Sequence, residues 1–505
     1  MSSRLGGSLA LPVILMAYYL TYDLGTTALK IALIDDEGKV CALDVQEYTM
    51  AAPAPGWAEM APERYWQAAV AGTRAVLACA QAAPHQVLAI GLSSQGQTFI
   101  PIAADGTAVH PAIVWLDGRA QALAEKWTAD GLSPEDFRAA TGYPFVPGSL
   151  TVFQIGWLAR HRPEVVQRTW KYLCLPDYLT FRLTGAPVTD YVTARMSGLF
   201  DLRTGTWAPA MLARAGISQE HLPVIQAPGT VAGHLHADSA TALGLPAGIP
   251  VSTGANDQLA GAIGAGNVIP GIVTATVGTA LALVATTPAV PDDPRVCAGR
   301  HAFSTTGYAM TFANTSAIIM SWLREVCGQG GIPYADFLTG VEAIPPGSDG
   351  VIVLPTFSGL GGTQGAILGL TLRHTRAHLA RAVMEACACL LQDCLTPLSA
   401  GDSVATLRIL GGAARSDCWL KLFADFTGLP VERPECPSAA SLGAAMLAAV
   451  AIGRFPDLPS AVLAWYRTER TFAPDLSARA AYAAVYARAH EFAARLAEPT
   501  VGVQR

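Results

Sequence analysis

The 505-residue chain is poor in charge, with Lys, Arg, Asp and Glu making up 14% of it. It has no lysine- or arginine-rich stripe and a net charge of −6. It therefore lacks the electrostatic footprint of a nucleic-acid partner. Its ten cysteines include no CxxC pair, which argues against a zinc or redox motif and suits a reducing cytoplasm. The tightest cluster, Cys387, Cys389 and Cys394, falls inside an apolar helical run and reads as small core residues. No GxxxxGK(S/T) loop occurs, which excludes a Walker-type nucleotide site. Beyond the N-terminus no segment reads as a membrane span.

Hydrophobic residues, by contrast, make up 51% of the chain, and its 48 glycines fall largely in turns between apolar runs. A chain of this length calls for two domains, since single cores stop growing at roughly 250–300 residues. Residues 9–20 are apolar and follow Arg4, imitating a secretory signal. The run passes into Tyr22-Asp23 without a small-residue cleavage site. Residues 1–15 are therefore expected to be a dispensable extension, with Met16 as the natural start.

The pattern predicts strands at 17–22, 29–34 and 40–48 around a hairpin turn at Asp35-Asp36-Glu37-Gly38, then a helix at 62–82 and a strand at 87–92. The second half repeats the plan. Strands fall at 272–277, 281–286, 308–312 and 405–410, and helices at 377–395, 416–426, 441–452 and 475–497. This predicts a duplicated α/β domain with a cleft between the lobes as the ligand site. The boundary falls near residues 255–270, and the assigned units are 16–258 and 259–490.

Several turns could carry chemistry. In Asp23-Leu24-Gly25-Thr26-Thr27, the glycine lets backbone N–H groups and threonine hydroxyls approach phosphate oxygens, and Asp23 could hold Mg²⁺ through water. An ordinary tight turn is the competing reading. Asp257 follows an apolar strand and precedes a small-residue helix, so it reads either as the carboxylate that accepts a hydroxyl proton or as a helix N-cap. Gln95, Gln97, Trp115, Asp117 and Arg119 cluster at two strand ends, where amides and carboxylates can read hydroxyls and an indole can pack on a carbon skeleton. Gly411-Gly412-Ala413 permits close approach of a ring or ribose, or is simply a strand-to-helix turn.

The ordered set of motifs resembles the FGGY carbohydrate kinases, which include xylulokinase, gluconokinase and glycerol kinase. The likeness runs from about Tyr18 to Leu496. YDLGTTALKIALIDDEG resembles the family's first phosphate motif, STGANDQLAGAIGAG the segment with the catalytic aspartate, and ATVGTALAL the second phosphate motif. GWAEMAPERYW, AIVWLDGRA and DYLTFRLTG follow in family order, GAILGLTLRHTRAHLARAVME resembles the C-terminal signature, and ILGGAARSDCWLKLFADFTGLPVERP with SLGAAMLA resembles the adenosine-binding region.

The resemblance implies two ribonuclease H-like lobes of the actin and sugar kinase superfamily. It implies ATP and Mg²⁺ as cofactors and a small sugar or polyol as substrate, with a homodimer carried over from the family. Asp257 becomes the general base, and Asp23 lies near Mg²⁺. Gly25, Thr26, Thr27, Lys30, Gly278 and Thr279 attend the phosphates, and Gly411, Gly412 and Ser416 the adenosine. Gln95, Gln97, Trp115, Asp117, Asp257 and Gln258 attend the acceptor.

Three departures qualify the substrate. Gln95-Gly96-Gln97-Thr98 stands where xylulokinases carry Gln-Met-His-Gly and glycerol kinases Gln-Arg-Glu-Thr, which predicts a roomier, less charged pocket. Gln154 stands at the lysine of the N-terminal signature. A Pro- and Trp-containing loop is shortened to Leu360-Gly361-Gly362-Thr363-Gln364-Gly365. The leading expectation is a ketopentose kinase of the xylulose type. The alternatives are a glycerol- or erythritol-type polyol kinase, a non-catalytic sugar or nucleotide sensor on the same fold, and an actin-like ATPase. The acceptor-side cluster and the C-terminal signature argue against the last of these.

Overall fold

The computed structural model describes residues 16–303, 306–357, 364–399 and 404–497. The proposed extension and most of the shortened loop, Leu360-Gly361-Gly362-Thr363, lie outside the described residues.

Two mixed sheets repeat one topology. In the first, the strand Tyr18–Leu24 pairs antiparallel with Ala28–Asp35, which pairs with Val40–Glu47. On its other side it runs parallel to Val87–Ser94, beyond which lies Pro250–Ser252. In the second, Ile272–Val277 pairs antiparallel with Leu281–Thr287, which pairs with Gly307–Ala313. It runs parallel to Thr406–Leu410, followed by Val431–Pro434. This is the duplicated, hairpin-first α/β plan expected from the sequence. Tyr18–Leu24 is buried along its whole length because it is central and covered on both faces. Val40–Glu47, at the sheet edge, alternates in burial, with Leu43, Val45 and Glu47 exposed.

One face of the first sheet carries the helix Pro62–Cys79, whose Tyr65, Trp66 and Val76 pack with Tyr18, Leu20 and Tyr22. The other face carries Ala439–Ala451, a helix built only of Ala, Ser, Leu, Gly, Met and Val. That helix comes late in the chain, within the unit assigned to 259–490, yet it packs on the first sheet. Gly91 marks the contact, since a Cβ there would lie 2.3 Å from the Ala444 carbonyl oxygen. The following segment stays with the first lobe. Arg454 Nε and Nη2 donate to the Asp36 carboxylate at 2.9 and 2.8 Å, and the Trp465 indole donates to the Asp36 carbonyl at 3.0 Å.

Ala439–Ala451 also crosses the helix Asp257–Gly264 at backbone distance. A Cβ on Gly264 would fall 1.9 Å from the Ala439 carbonyl oxygen, and one on Gly443 would fall 1.9 Å from that of Ala260. Small residues are what let two helices approach this closely. Cys387, Cys389 and Cys394 are buried on the helix Arg376–Leu398, as core residues. Among the described residues no group of His, Cys, Asp and Glu could hold a metal by itself, and no helix is long and apolar enough to cross a membrane.

Gly443→Val is expected to force the helices apart and to cost about 3 kcal/mol or more. Gly331→Ala, at a position open to solvent with nothing within 4 Å, should leave the melting temperature unchanged. Thermal denaturation of the two variants checks this.

Candidate active site

In each sheet the central strand and its parallel neighbour end together, and the crevice beyond such carboxyl ends is where an open α/β sheet binds ligands. Strand register brings together Asp23 to Thr27, Gln95 to Gln97 and Asn256 to Gln258 in the first sheet, and Gly278-Thr279 with Gly411-Gly412 in the second.

Asp257 opens the helix Asp257–Gly264 but does not cap it. The cap is Asn256, whose Oδ1 accepts the Leu259 N–H at 3.1 Å. Asn256 Nδ2 and the Gln258 N–H both donate to Asp257 Oδ1, at 3.1 and 2.8 Å. Among the described residues no hydrogen bond reaches Asp257 Oδ2, so one oxygen stays free for chemistry. Burial, and then the charge of Asp23, push the carboxyl from its usual 3.8 to about 7.

Strand register places Asp23. Its antiparallel partner is Lys30 and its parallel partner is Ser93. Asp23 Oδ1 accepts the Ser93 hydroxyl at 2.9 Å, and Lys30 Nζ donates to Oδ2 at 3.3 Å. The lysine is half-exposed while the acid is buried.

The two Gly-Thr turns each spend the glycine N–H on a nearby carbonyl, but with different spans. The Gly25 N–H donates to the Ala28 carbonyl at 2.9 Å, and the Gly278 N–H to that of Ala280 at 3.0 Å. The Tyr48 hydroxyl holds the Gly25 carbonyl from behind. Thr27 and Thr279 are exposed. A Cβ on Gly278 would meet nothing, so its backbone is open. Gly411 requires glycine twice over, because its φ is +83° and a Cβ would sit 2.7 Å from the Val277 carbonyl oxygen. That contact brings the Gly411 turn against the end of the strand that feeds Gly278.

Gly278, Thr279, Gly412 and Ser416 line one cavity of about 850 Å³. Its other walls include Ile318, Tyr334 and Leu338, which the sequence reading did not identify. The exposed Ile318 on an otherwise apolar helix is the signal that could have found this wall.

On the acceptor side the structure separates residues that the sequence grouped. Trp115 is 38% exposed, while Gln95 is 4% exposed. The indole Nε1–H donates to Thr26 Oγ1 at 2.9 Å, and the Thr26 hydroxyl donates to Gln95 Oε1 at 3.0 Å. Gln97 holds a left-handed backbone with φ of +66°, a strained conformation for a residue with a side chain. Its Nε2 donates to the Tyr143 hydroxyl at 3.0 Å, and its carbonyl accepts the Thr151 hydroxyl at 2.9 Å. Gln258 Oε1 has no partner among the described residues.

Asp117, expected to touch the acceptor, has no exposed surface. Its Oδ2 accepts the Ala58 N–H at 2.6 Å and Arg119 Nη2 at 2.8 Å, and its Oδ1 accepts Arg119 N and Nε, both at 2.9 Å. Arg119 also bonds Glu59 at 2.7 Å and lies over the Trp57 ring. Asp117 therefore braces the wall from behind. Gln154, also buried, donates to the Asp117 carbonyl at 2.8 Å.

The structure places the flexible end of Met196 beside Gly96. A Cβ at Gly96 would lie 2.6 Å from Met196 Cε, so the methionine methyl fills the space a side chain would have taken.

Tyr143, Met196 and Arg195 are further parts of this wall that the sequence reading did not identify. Arg195 is fully buried without a carboxylate partner. It donates to the Thr141 and Gly142 carbonyls, both at 2.9 Å, and lies over the Tyr143 ring at 4.1 Å. Phe145 of the first lobe and Phe312 of the second, each 44% exposed, meet edge to face with ring centroids 6.0 Å apart.

The raised carboxyl of Asp257 has a stability consequence. An unfolded aspartate titrates near 3.8 and the folded one near 7, so the folded state holds the proton more tightly. The stabilisation is complete below the unfolded value and is lost as pH rises through the folded one. Asp257→Asn should therefore melt higher than wild type at pH 8, by about 3 °C, and the gap should narrow at pH 5 and close only below the unfolded value of 3.8. Scanning calorimetry at both pH values checks this.

Comparison with known proteins agrees with this geometry. The models of the N-terminal and C-terminal domains of the FGGY family of carbohydrate kinases match residues 18–264 and 274–452. A glycerol kinase of Dechloromonas aromatica (strain RCB) is 32% identical over 91% of this chain and 94% of its own. A xylulose kinase of Escherichia coli (strain K12) is 29% identical over 92% of this chain and 96% of its own. Among solved structures, a xylulose kinase from Rhodospirillum rubrum aligns with a TM-score of 0.86 at 27% identity, covering 95% of this chain and 99% of that one. A gluconate kinase from Lactobacillus acidophilus aligns with a TM-score of 0.88 at 25% identity, covering 96% and 99%. With both domain models matched along most of its length, the chain belongs to the FGGY family of carbohydrate kinases and is an ATP-dependent sugar kinase.

Proposed function

We propose that the protein transfers the γ-phosphoryl group of ATP to a hydroxyl of a ketopentose of the xylulose type. The observation that carries this reading is the free Oδ2 of Asp257 on a carboxyl poised near 7, beside the phosphate turns. Asp257 accepts the acceptor's hydroxyl proton while that oxygen attacks the γ-phosphorus. The bond from the γ-phosphorus to the bridging oxygen breaks, and ADP leaves with its electron pair. Lys30 offsets phosphate charge, with Thr27 and Thr279 beside it and, at Gly278, no side chain to keep a phosphate away. Asp23 supplies hard carboxylate oxygens that would hold, through water, a Mg²⁺. Bound there, the ion would neutralise charge on the transferring group, leaving Asp257 to act as the base. The cavity behind Gly412 and Ser416 takes the adenosine.

The neutral wall of Gln97, Tyr143 and Trp115, with no charged pair at Gly96-Gln97, supports an uncharged acceptor. Xylulose kinases among both the sequence relatives and the solved structures support a ketopentose. A glycerol- or erythritol-type polyol is the second reading, favoured by the glycerol kinases among the sequence relatives.

A coupled ADP-release assay with xylulose, ribulose, gluconate, glycerol, erythritol and ribitol tests both readings. Xylulose or ribulose should give the highest kcat/KM. Asp257→Asn should lower kcat by about 10²–10⁴-fold with acceptor affinity little changed. Wild-type kcat/KM should rise with pH through about 7, because only the deprotonated carboxylate accepts the proton. Turnover near the wild-type level in Asp257→Asn refutes the assignment of the base.

A further inference from the structure

We propose that Thr26 is a positioning residue whose hydroxyl locks the first phosphate turn to the acceptor wall, holding the phosphoryl group and the attacking hydroxyl in line. This deepens the kinase reading and rests on it.

A threonine hydroxyl has one proton and two lone pairs. Here the proton goes to Gln95 Oε1 at 3.0 Å, and a lone pair takes the Trp115 Nε1–H at 2.9 Å. The buried Gln95 Nε2 has no partner among the described residues in this orientation, and a flipped amide would donate to Thr26 instead; in either orientation the one hydroxyl ties Gln95 to Trp115. Both partners are themselves held. The Gln95 N–H donates to the Leu24 carbonyl at 2.8 Å, at the end of the strand that leads into the turn. The Trp115 N–H donates to Thr98 Oγ1 at 3.1 Å. Thr26 thus joins three separate segments: the Gly25-Thr26-Thr27 turn, the end of Val87–Ser94, and the stretch after Ala112–Ile113.

Trp115 has two distinct surfaces. Its N–H edge is tied to Thr26, while 38% of the residue stays exposed. An acceptor packing on the ring therefore bears on a side chain whose orientation the phosphate turn sets. A displacement of about 1 Å from reacting geometry can cost 10²-fold in rate, so breaking this link should act on turnover and not on affinity.

The test compares T26V, which keeps the shape and loses both bonds, with T26S, which keeps the hydroxyl. It adds W115F, which keeps a ring face and loses the N–H, and the T26V/W115F double variant. T26V and W115F should each lower kcat by about 10–100-fold, with KM for ATP and for acceptor within about threefold of wild type. T26S should restore most of the rate. The double variant should be no slower than the slower single variant, since both remove one shared link. A rise in KM for ATP at unchanged kcat in T26V would make Thr26 a phosphate ligand and overturn the proposal. Multiplied losses in the double variant, or no rescue by T26S, would overturn it as well. If T26V fails to fold, W115F and T26S still decide. A wild-type protein that releases no ADP with any acceptor sinks the kinase reading and this proposal together. A wild type that turns over leaves the kinase reading standing whatever Thr26 does.

Discussion

The structure hangs on the crossing of two small-residue helices, Asp257–Gly264 and Ala439–Ala451. Carbonyl oxygens of Ala439 and Ala260 stand where a Cβ on Gly264 or Gly443 would have to go. No larger residue permits that approach, and everything at the site is referenced to it. Asp257 is the first residue of one helix. The other helix lies on the sheet whose central strand presents Asp23, meeting it at Gly91. The spacing of the two carboxylates, and with it the electrostatics of the base, follows from how closely these helices pack.

That spacing has a cost. Burial first, and then the nearby charge of Asp23, raises the Asp257 carboxyl to about 7. The surrounding bonds assign distinct tasks. Asn256 performs the capping. Ser93 and Lys30 satisfy Asp23. The bonds to Asp257 fall on Oδ1. Charge that is unfavourable in the resting protein is what suits this group to accept a proton near neutrality.

The acceptor wall rests on a second principle. Its exposed members, Trp115 above all, are oriented by buried partners that never face the ligand. The Asp117–Arg119–Glu59 network braces the wall from inside. Arg195 holds the Thr141 and Gly142 carbonyls and so sets the turn that presents Tyr143. Gly142 in turn accepts the Ala298 N–H of the second lobe at 2.8 Å, so the acceptor wall and the nucleotide lobe share a hydrogen-bonded seam.

The sequence by itself determined the duplicated hairpin-first plan, the two Gly-Thr turns, the Gly411 turn and the importance of Asp257. These rest on local signals: strand runs, turn glycines and motif order are written within a few consecutive residues. Tertiary structure alone decided which side chains face the cleft. Asp117 and Trp115 are close neighbours in one motif, yet one is sealed behind the wall and the other stands open to solvent. Met196, far from Gly96 in sequence, occupies the space beside it. The helix Ala439–Ala451, distant in the chain, became a support of the first lobe. The physical reason is common to all three. Such outcomes depend on packing and hydrogen bonds between segments far apart in sequence, whose energies exist only once the chain has folded around them.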